Sequence, residues 1–113
     1  MDGANPAAER VARNDAIFRD ANEGIKEAAA EYGVTGTLPF ICECADPTCT
    51  EIIRLDPIEY ERIRANPIRF LNAPDHNRSA GPYAAVVERH EGYEVIEKQG
   101  AARDIVRELD PRS

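Results

Sequence analysis

The sequence predicts an α+β fold: a long N-terminal helix, a small antiparallel sheet with a zinc-knuckle-like hairpin, and short central and C-terminal helices. Three observations carry this. Apolar residues recur at helical spacing between Pro6 and Gly33. The run Asp56-Pro57-Ile58-Glu59 has the residue types that open a helix, between two strand-like segments. Glu91-Gly92 separates two runs rich in β-branched and aromatic residues, as a hairpin turn would. The resulting order is αββαβββα, without an internal repeat. We divide the chain into an amphipathic helix over 1–33 and a small α+β domain over 34–113, expected to fold as one unit.

Each element follows from its residues. Asn5 is placed to cap the first helix and Pro6 to start it, where a missing N–H costs nothing; Gly33 stops it. Val11, Phe18, Ile25 and Tyr32, with Ala21 and Ala28, make its apolar stripe. The stripe is expected to pack on the domain's own sheet; the second reading is a homodimer seam in which Asn14 sets register. After a linker over 34–38, Phe40 to Cys44 reads as a strand, Ala45 to Thr48 as a turn, and Glu51 to Leu55 as the returning strand. The helix capped by Asp56 should bury Ile58 and Ile63 and end near Asn66-Pro67. Ile68 to Leu71 is a further strand, followed by a polar loop from Asn72 to Pro82. Tyr83–His90 and Tyr93–Lys98 form the hairpin, with Val87 and Val95 inward. A last helix from Ala101 to Leu109 buries Ile105, Val106 and Leu109.

The composition narrows the function classes. The 113 residues carry 21 acidic against 14 basic side chains, a net charge of -7. Such a surface repels phosphate backbones, so nucleic acid is not the expected partner. The basic residues Arg54, Arg62, Arg64, Arg69 and Arg78 are interleaved with Glu59, Glu61 and Asp75, as on a solvated face. No stretch is long and apolar enough for a membrane span, and Met1 to Arg13 lacks the pattern of a secretory signal. A cytoplasmic location is the expectation. Aromatic residues are few (4 Tyr, 3 Phe, no Trp), so the core is thin and a metal would be a useful staple.

The three cysteines are an odd number for a disulfide framework in a reducing compartment. Cys42 and Cys44 are two apart and share a face of an extended segment; the Asp46-Pro47 turn returns Cys49 toward them. Three converging thiolates suit a tetrahedral zinc site with one position open, and His76, in the loop after a strand, is the candidate fourth ligand. Asp46, Asp75 or water are the alternatives, and His90 is read as a surface residue of the hairpin. The other readings of the cysteines are metal-free core residues, a Cys44–Cys49 disulfide with Cys42 as resolving thiol, and an iron–sulfur cluster.

The run Pro39-Phe40-Ile41-Cys42-Glu43-Cys44-Ala45-Asp46-Pro47-Thr48-Cys49, with Ala73-Pro74 and His76 further on, resembles a set of small uncharacterised proteins of high-GC Gram-positive bacteria sharing F-x-C-x-C-x4-C and A-P-x-H. The resemblance covers most of 39–98. It implies a recurring Cys/His set and brings no activity with it. Enzyme signatures are lacking: there is no H-E-x-x-H, no deaminase pair of H-x-E with P-C-x-x-C, and no Gly-rich phosphate loop. The expected function is a structural zinc domain that binds another protein or regulates one, without catalysis. A redox or metal sensor built on the zinc thiolates is the alternative, and a small enzyme is the less expected third reading.

Overall fold

A computed structural model of the chain describes residues 5–112. It is α+β, in the expected order: helix α1 (Pro6–Glu31), strands β1 (Leu38–Ile41) and β2 (Ile52–Leu55), helix α2 (Pro57–Arg64), strand β3 (Arg69–Asn72), 3-10 turns (His76–Tyr83), strands β4 (Ala84–His90) and β5 (Tyr93–Lys98), and helix α3 (Gly100–Leu109). The caps are those the residues dictate. Asn5 accepts from the Ala8 N–H at 3.1 Å, and Asp56 from the Ile58 N–H at 2.8 Å. Gly33, at a φ of 70°, closes α1 by letting the Val34 N–H reach back to the Ala29 carbonyl at 2.9 Å.

Two antiparallel sheets form rather than one. β1 pairs with β2, and β3-β5-β4 is a separate three-stranded sheet. The chain steps between them just after β1. Cys42 still donates to the Glu51 carbonyl across the β1–β2 ladder at 3.0 Å, but the next residue, Glu43, donates to the Leu71 carbonyl of β3 at 2.7 Å. The cysteine segment is therefore the bridge between the sheets, and the strand expected to run through Cys44 ends at Ile41. Phe40, stacked on Tyr60 with ring centroids 4.4 Å apart, packs with Leu38, Ile53, Leu55, Ile63, Leu71 and Val95 in the main core, to which Cys42 and Cys44 also belong.

Three inward assignments change. Ile58 is 81% exposed, and Tyr60 takes its place inside with Ile63. Val87 is exposed because the ladder passes from Val86↔Ile96 to Glu88↔Val95, leaving Val87 as the extra residue of a bulge. Leu109 is exposed at the end of α3, where Ala102 and Val106 face inward. The stretch expected as an irregular loop folds into 3-10 turns broken at Gly81.

The largest departure is in α1. Its buried residues are Ala8, Val11, Ala12, Asp15, Arg19, Asn22 and Ala29. Of the stripe read from sequence only Val11 is buried; Phe18 and Ile25 are half-buried at the flank, and Tyr32 is 78% exposed. The buried face is partly polar, and hydrophobicity cannot mark such a face. Asp15, Arg19 and Asn22 on it each meet a partner elsewhere in the chain. Asp15 meets Lys98 of β5 at 2.6 Å, both fully buried, and burial pushes the Asp15 carboxyl up to about 7 against the pull of Lys98. Arg19 donates to the carbonyls of Pro67 and Arg69 and lies over the Phe70 ring, 3.6 Å from its centroid. The ends are tied as well: the buried Arg64 donates to both oxygens of Asp110, at 3.0 and 2.7 Å, and to Glu23 at 3.1 Å.

Candidate metal centre

Cys42, Cys44, Cys49 and His76 come together, with one ligand atom from each lying within 4.8 Å of all the others. Four separate local devices place them. Cys42 leaves the end of β1 in ladder register, and Cys44 follows once Glu43 has crossed to β3. The turn between Cys44 and Cys49 is an Asx turn: the Asp46 carboxylate accepts from the Thr48 N–H at 2.9 Å and from its hydroxyl at 2.7 Å, which holds that carboxyl below its usual range. The Cys49 N–H closes it on the Asp46 carbonyl at 3.1 Å. His76 is aimed by Asp75, which adopts a left-handed φ of 67° with its N–H on the Glu94 carboxylate at 3.2 Å. The His76 N–H then bonds the Ala73 carbonyl at 3.2 Å. Asp46 and Asp75, the alternative ligands by sequence, are thus turn-forming residues outside the cluster.

His76 presents Nδ1 to the sulfurs, 3.5 Å from both Cys42 Sγ and Cys49 Sγ. Ala73 donates its N–H to Cys42 Sγ at 3.2 Å, and the backbone N–H groups of Asp46 and Glu51 pull the Cys44 and Cys49 thiols down. A backbone N–H aimed at a sulfur favours its thiolate, the form that binds metals. Cys44 is drawn down to about 5, first by the hydrogen bond from the Cys42 thiol and then by the Asp46 N–H, against burial. Cys42 goes the other way, because it donates that bond and is buried, and burial pushes Cys49 up. The four residues can therefore hold a metal ion.

The support behind the site was not legible in the sequence. Glu43, between the two cysteines, is 1% exposed and accepts three hydrogen bonds: from the Leu71 N–H at 2.9 Å, from Asn22 Nδ2 at 3.0 Å and from the Tyr60 hydroxyl. Asn22 also pairs with both backbone groups of Ile41, at 2.8 Å each, and Asn14 donates to the Ala45 carbonyl at 2.9 Å. Helix α1 thus grips the cysteine segment on both sides, and Asn14, read from sequence as a register device of a dimer seam, is one of the grips. A charged residue inside an apolar, cysteine-flanked run was the available signal for Glu43.

A second group, Glu59, Glu88 and His90, also brings three donor atoms within 4.8 Å. There Arg62 donates to both carboxylates, at 2.7 Å each, so the negative charge already has a cation. His90 is exposed, bonded to Glu88 at 2.8 Å and stacked on Tyr93. Of the arginines flagged in the sequence, Arg62, Arg64 and Arg69 are held by carboxylates, of Glu59 and Glu88, of Asp110 and Glu23, and of Glu97, and Arg54 by Thr37, while Arg78 is exposed. Among the described residues no helix is long and apolar enough to cross a membrane. Compared with models of protein families, with curated proteins and with solved structures, the chain matches none.

Proposed function

We propose that this protein is a small structural zinc module that acts by binding another protein, and that Cys42, Cys44, Cys49 and His76 are the ligands. The observation that carries the zinc reading is the pair of Sγ···Nδ1 separations of 3.5 Å. A tetrahedron with Zn–S of about 2.3 Å and Zn–N of about 2.0–2.1 Å has an S···N edge of roughly 3.5–3.6 Å, so those two edges already have the length zinc requires. The donor chemistry agrees. Three thiolates and an imidazole select a soft or borderline ion over magnesium or calcium, and iron–sulfur clusters ordinarily take four cysteines.

A structural role follows from the ligand count. Four protein donors close a tetrahedral site, whereas catalytic zinc keeps a position for water or substrate. The site also joins three separate parts of the chain: the end of β1, the turn before β2 and the start of the 3-10 turns after β3. The reading puts the partner at the edge between α1 and α3, where Arg13, Ala16, Ile17 and Asp20 line a shallow groove of about 230 Å³ with Leu109. Elemental analysis of protein purified without added metal tests the reading. Close to one equivalent of zinc per chain is expected; less than about a tenth would remove it, and iron would redirect it.

A further inference from the structure

The four donors are unequally screened. Cys42 is 2% exposed and Cys44 0%, while Cys49 and His76 are half-buried. The inner pair is also held on more sides. Cys42 has its sulfur on the Ala73 N–H at 3.2 Å and its own N–H on Glu51 at 3.0 Å, and Cys44 precedes Ala45, whose carbonyl Asn14 holds at 2.9 Å. Cys49 instead follows the exposed residues Pro47 and Thr48 and precedes the exposed Thr50. A reagent arriving from solvent meets Cys49 first.

We propose that Cys49 is a peroxide-reactive residue, and that its oxidation joins it to Cys44 and discharges the metal; the inference rests on the zinc reading above. Burial alone would keep Cys49 as a thiol, but zinc ligation requires it deprotonated, and in the zinc-loaded chain the Cys49 thiolate attacks one oxygen of hydrogen peroxide. The O–O bond breaks, hydroxide leaves and is protonated to water, and Cys49 becomes a sulfenic acid. The Cys44 thiolate then attacks that sulfur, forming the S–S bond as the S–O bond breaks, and a second hydroxide leaves as water. Two thiolates, one peroxide and two protons give one disulfide and two waters; the cysteines lose two electrons and peroxide gains them. Cys44 is the partner because it and Cys49 flank the same turn, so only that turn need shift, whereas Cys42 is fixed to both sheets. Cys42 and His76 remain as donors, too few to keep the ion.

The test uses the full, zinc-loaded chain and hydrogen peroxide. Free thiols are blocked with N-ethylmaleimide at each time point, zinc release is followed with a chromogenic chelator, and the cysteines are mapped by mass spectrometry. Cleavage after Glu43 separates Cys42 from Cys44 and Cys49. The expected result is a Cys44–Cys49 disulfide appearing in step with the loss of one zinc per disulfide, while Cys42 stays alkylatable. Oxidation of Cys42 first, or zinc release with Cys49 still reduced, overturns the proposal. So does zinc that resists peroxide, an outcome that leaves the structural-zinc reading standing. A chain that carries no zinc at all defeats both. Cys49→Ser provides the variant measurement: its residual thiols should oxidise more slowly than Cys49 does in the unaltered chain, and equal rates would count against a reactive edge.

Discussion

Replacing Glu43 by glutamine changes one atom in the middle of the cysteine segment, and its cost can be worked from the contacts. One carboxylate oxygen accepts from the Leu71 N–H, the other from Asn22 and the Tyr60 hydroxyl. Whichever way the amide is turned, its NH₂ faces a buried N–H, of Leu71 or of Asn22. That leaves a buried donor unsatisfied, at about 1–3 kcal/mol. The surviving bonds lose charge assistance, worth about 1 kcal/mol each, and relief from burying a carboxylate offsets part of the total. The net should be roughly 3 kcal/mol, a large share of the ~5–15 kcal/mol that stabilises a domain. Urea denaturation of the metal-loaded chain measures it. Because the same segment carries Cys42 and Cys44, Glu43→Gln should also weaken zinc binding in a competition titration, whereas Tyr60→Phe, which removes one bond of the three, should do less of both. A Glu43→Gln protein within about 0.5 kcal/mol of the original, with unchanged zinc affinity, would refute the claim that this carboxylate organises the site.

Other substitutions separate the site from its surroundings. Cys42→Ser, Cys44→Ser and Cys49→Ser should lower the thermal midpoint most, His76→Ala should fall between them and the unaltered chain because three thiolates remain, and His90→Ala should be close to neutral; thermal melts of the five rank them. Lys98→Met should be tolerated better at pH 6 than at pH 9. Burial already raises the Asp15 carboxyl to about 7, and without Lys98 it rises further. A folded-state pKa above the unfolded one gives stability that is present at low pH and lost as pH rises through the folded value, so the variant's deficit should widen above pH 7, by up to ~1.4 kcal/mol per pH unit, in denaturation at several pH values. Asn14→Ala should cost about 1 kcal/mol by removing the grip on Ala45, again read from urea melts, and should lower zinc affinity by the same linkage. Ile17→Glu, on the exposed groove, should leave the melt unchanged and diminish capture of any partner that uses that face.

The elements were legible wherever a local residue type decides them. Asn5, Gly33, Asp56-Pro57 and Glu91-Gly92 fix helix ends and a hairpin turn through short-range chemistry, and each does so in the structure. That Cys42, Cys44, Cys49 and His76 converge was legible too, since two-residue spacing and a short turn bring the thiols to one place. What failed were assignments that depend on which side of an element meets something distant. Ile58 and Val87 are apolar and exposed, the first because Tyr60 fills the space on α2, the second because a bulge turns it outward. The face of α1 was misplaced because Asp15, Arg19 and Asn22 look like solvated residues until Lys98, the Pro67 and Arg69 carbonyls and Glu43 are known to lie opposite. A polar contact across the fold has no period in the sequence.

That polar face also constrains when the protein can fold. The partners of α1 are made late: Lys98 for Asp15, Asp110 for the Arg64 that Glu23 holds, and Arg112 for Glu23 itself, 89 positions downstream. A ribosome adding ~5–20 residues per second needs roughly 4–18 s to cover that distance. During this interval the first helix has emerged with acids, an arginine and asparagines on the side it will bury, and an isolated helix of this kind has little to hold it. The cysteine segment cannot be clamped either, since α1 supplies the clamps. The nascent chain should therefore stay open until its last strand and helix are complete and then collapse in one step, with its three thiols accessible to chaperones, oxidants and metal ions throughout the wait.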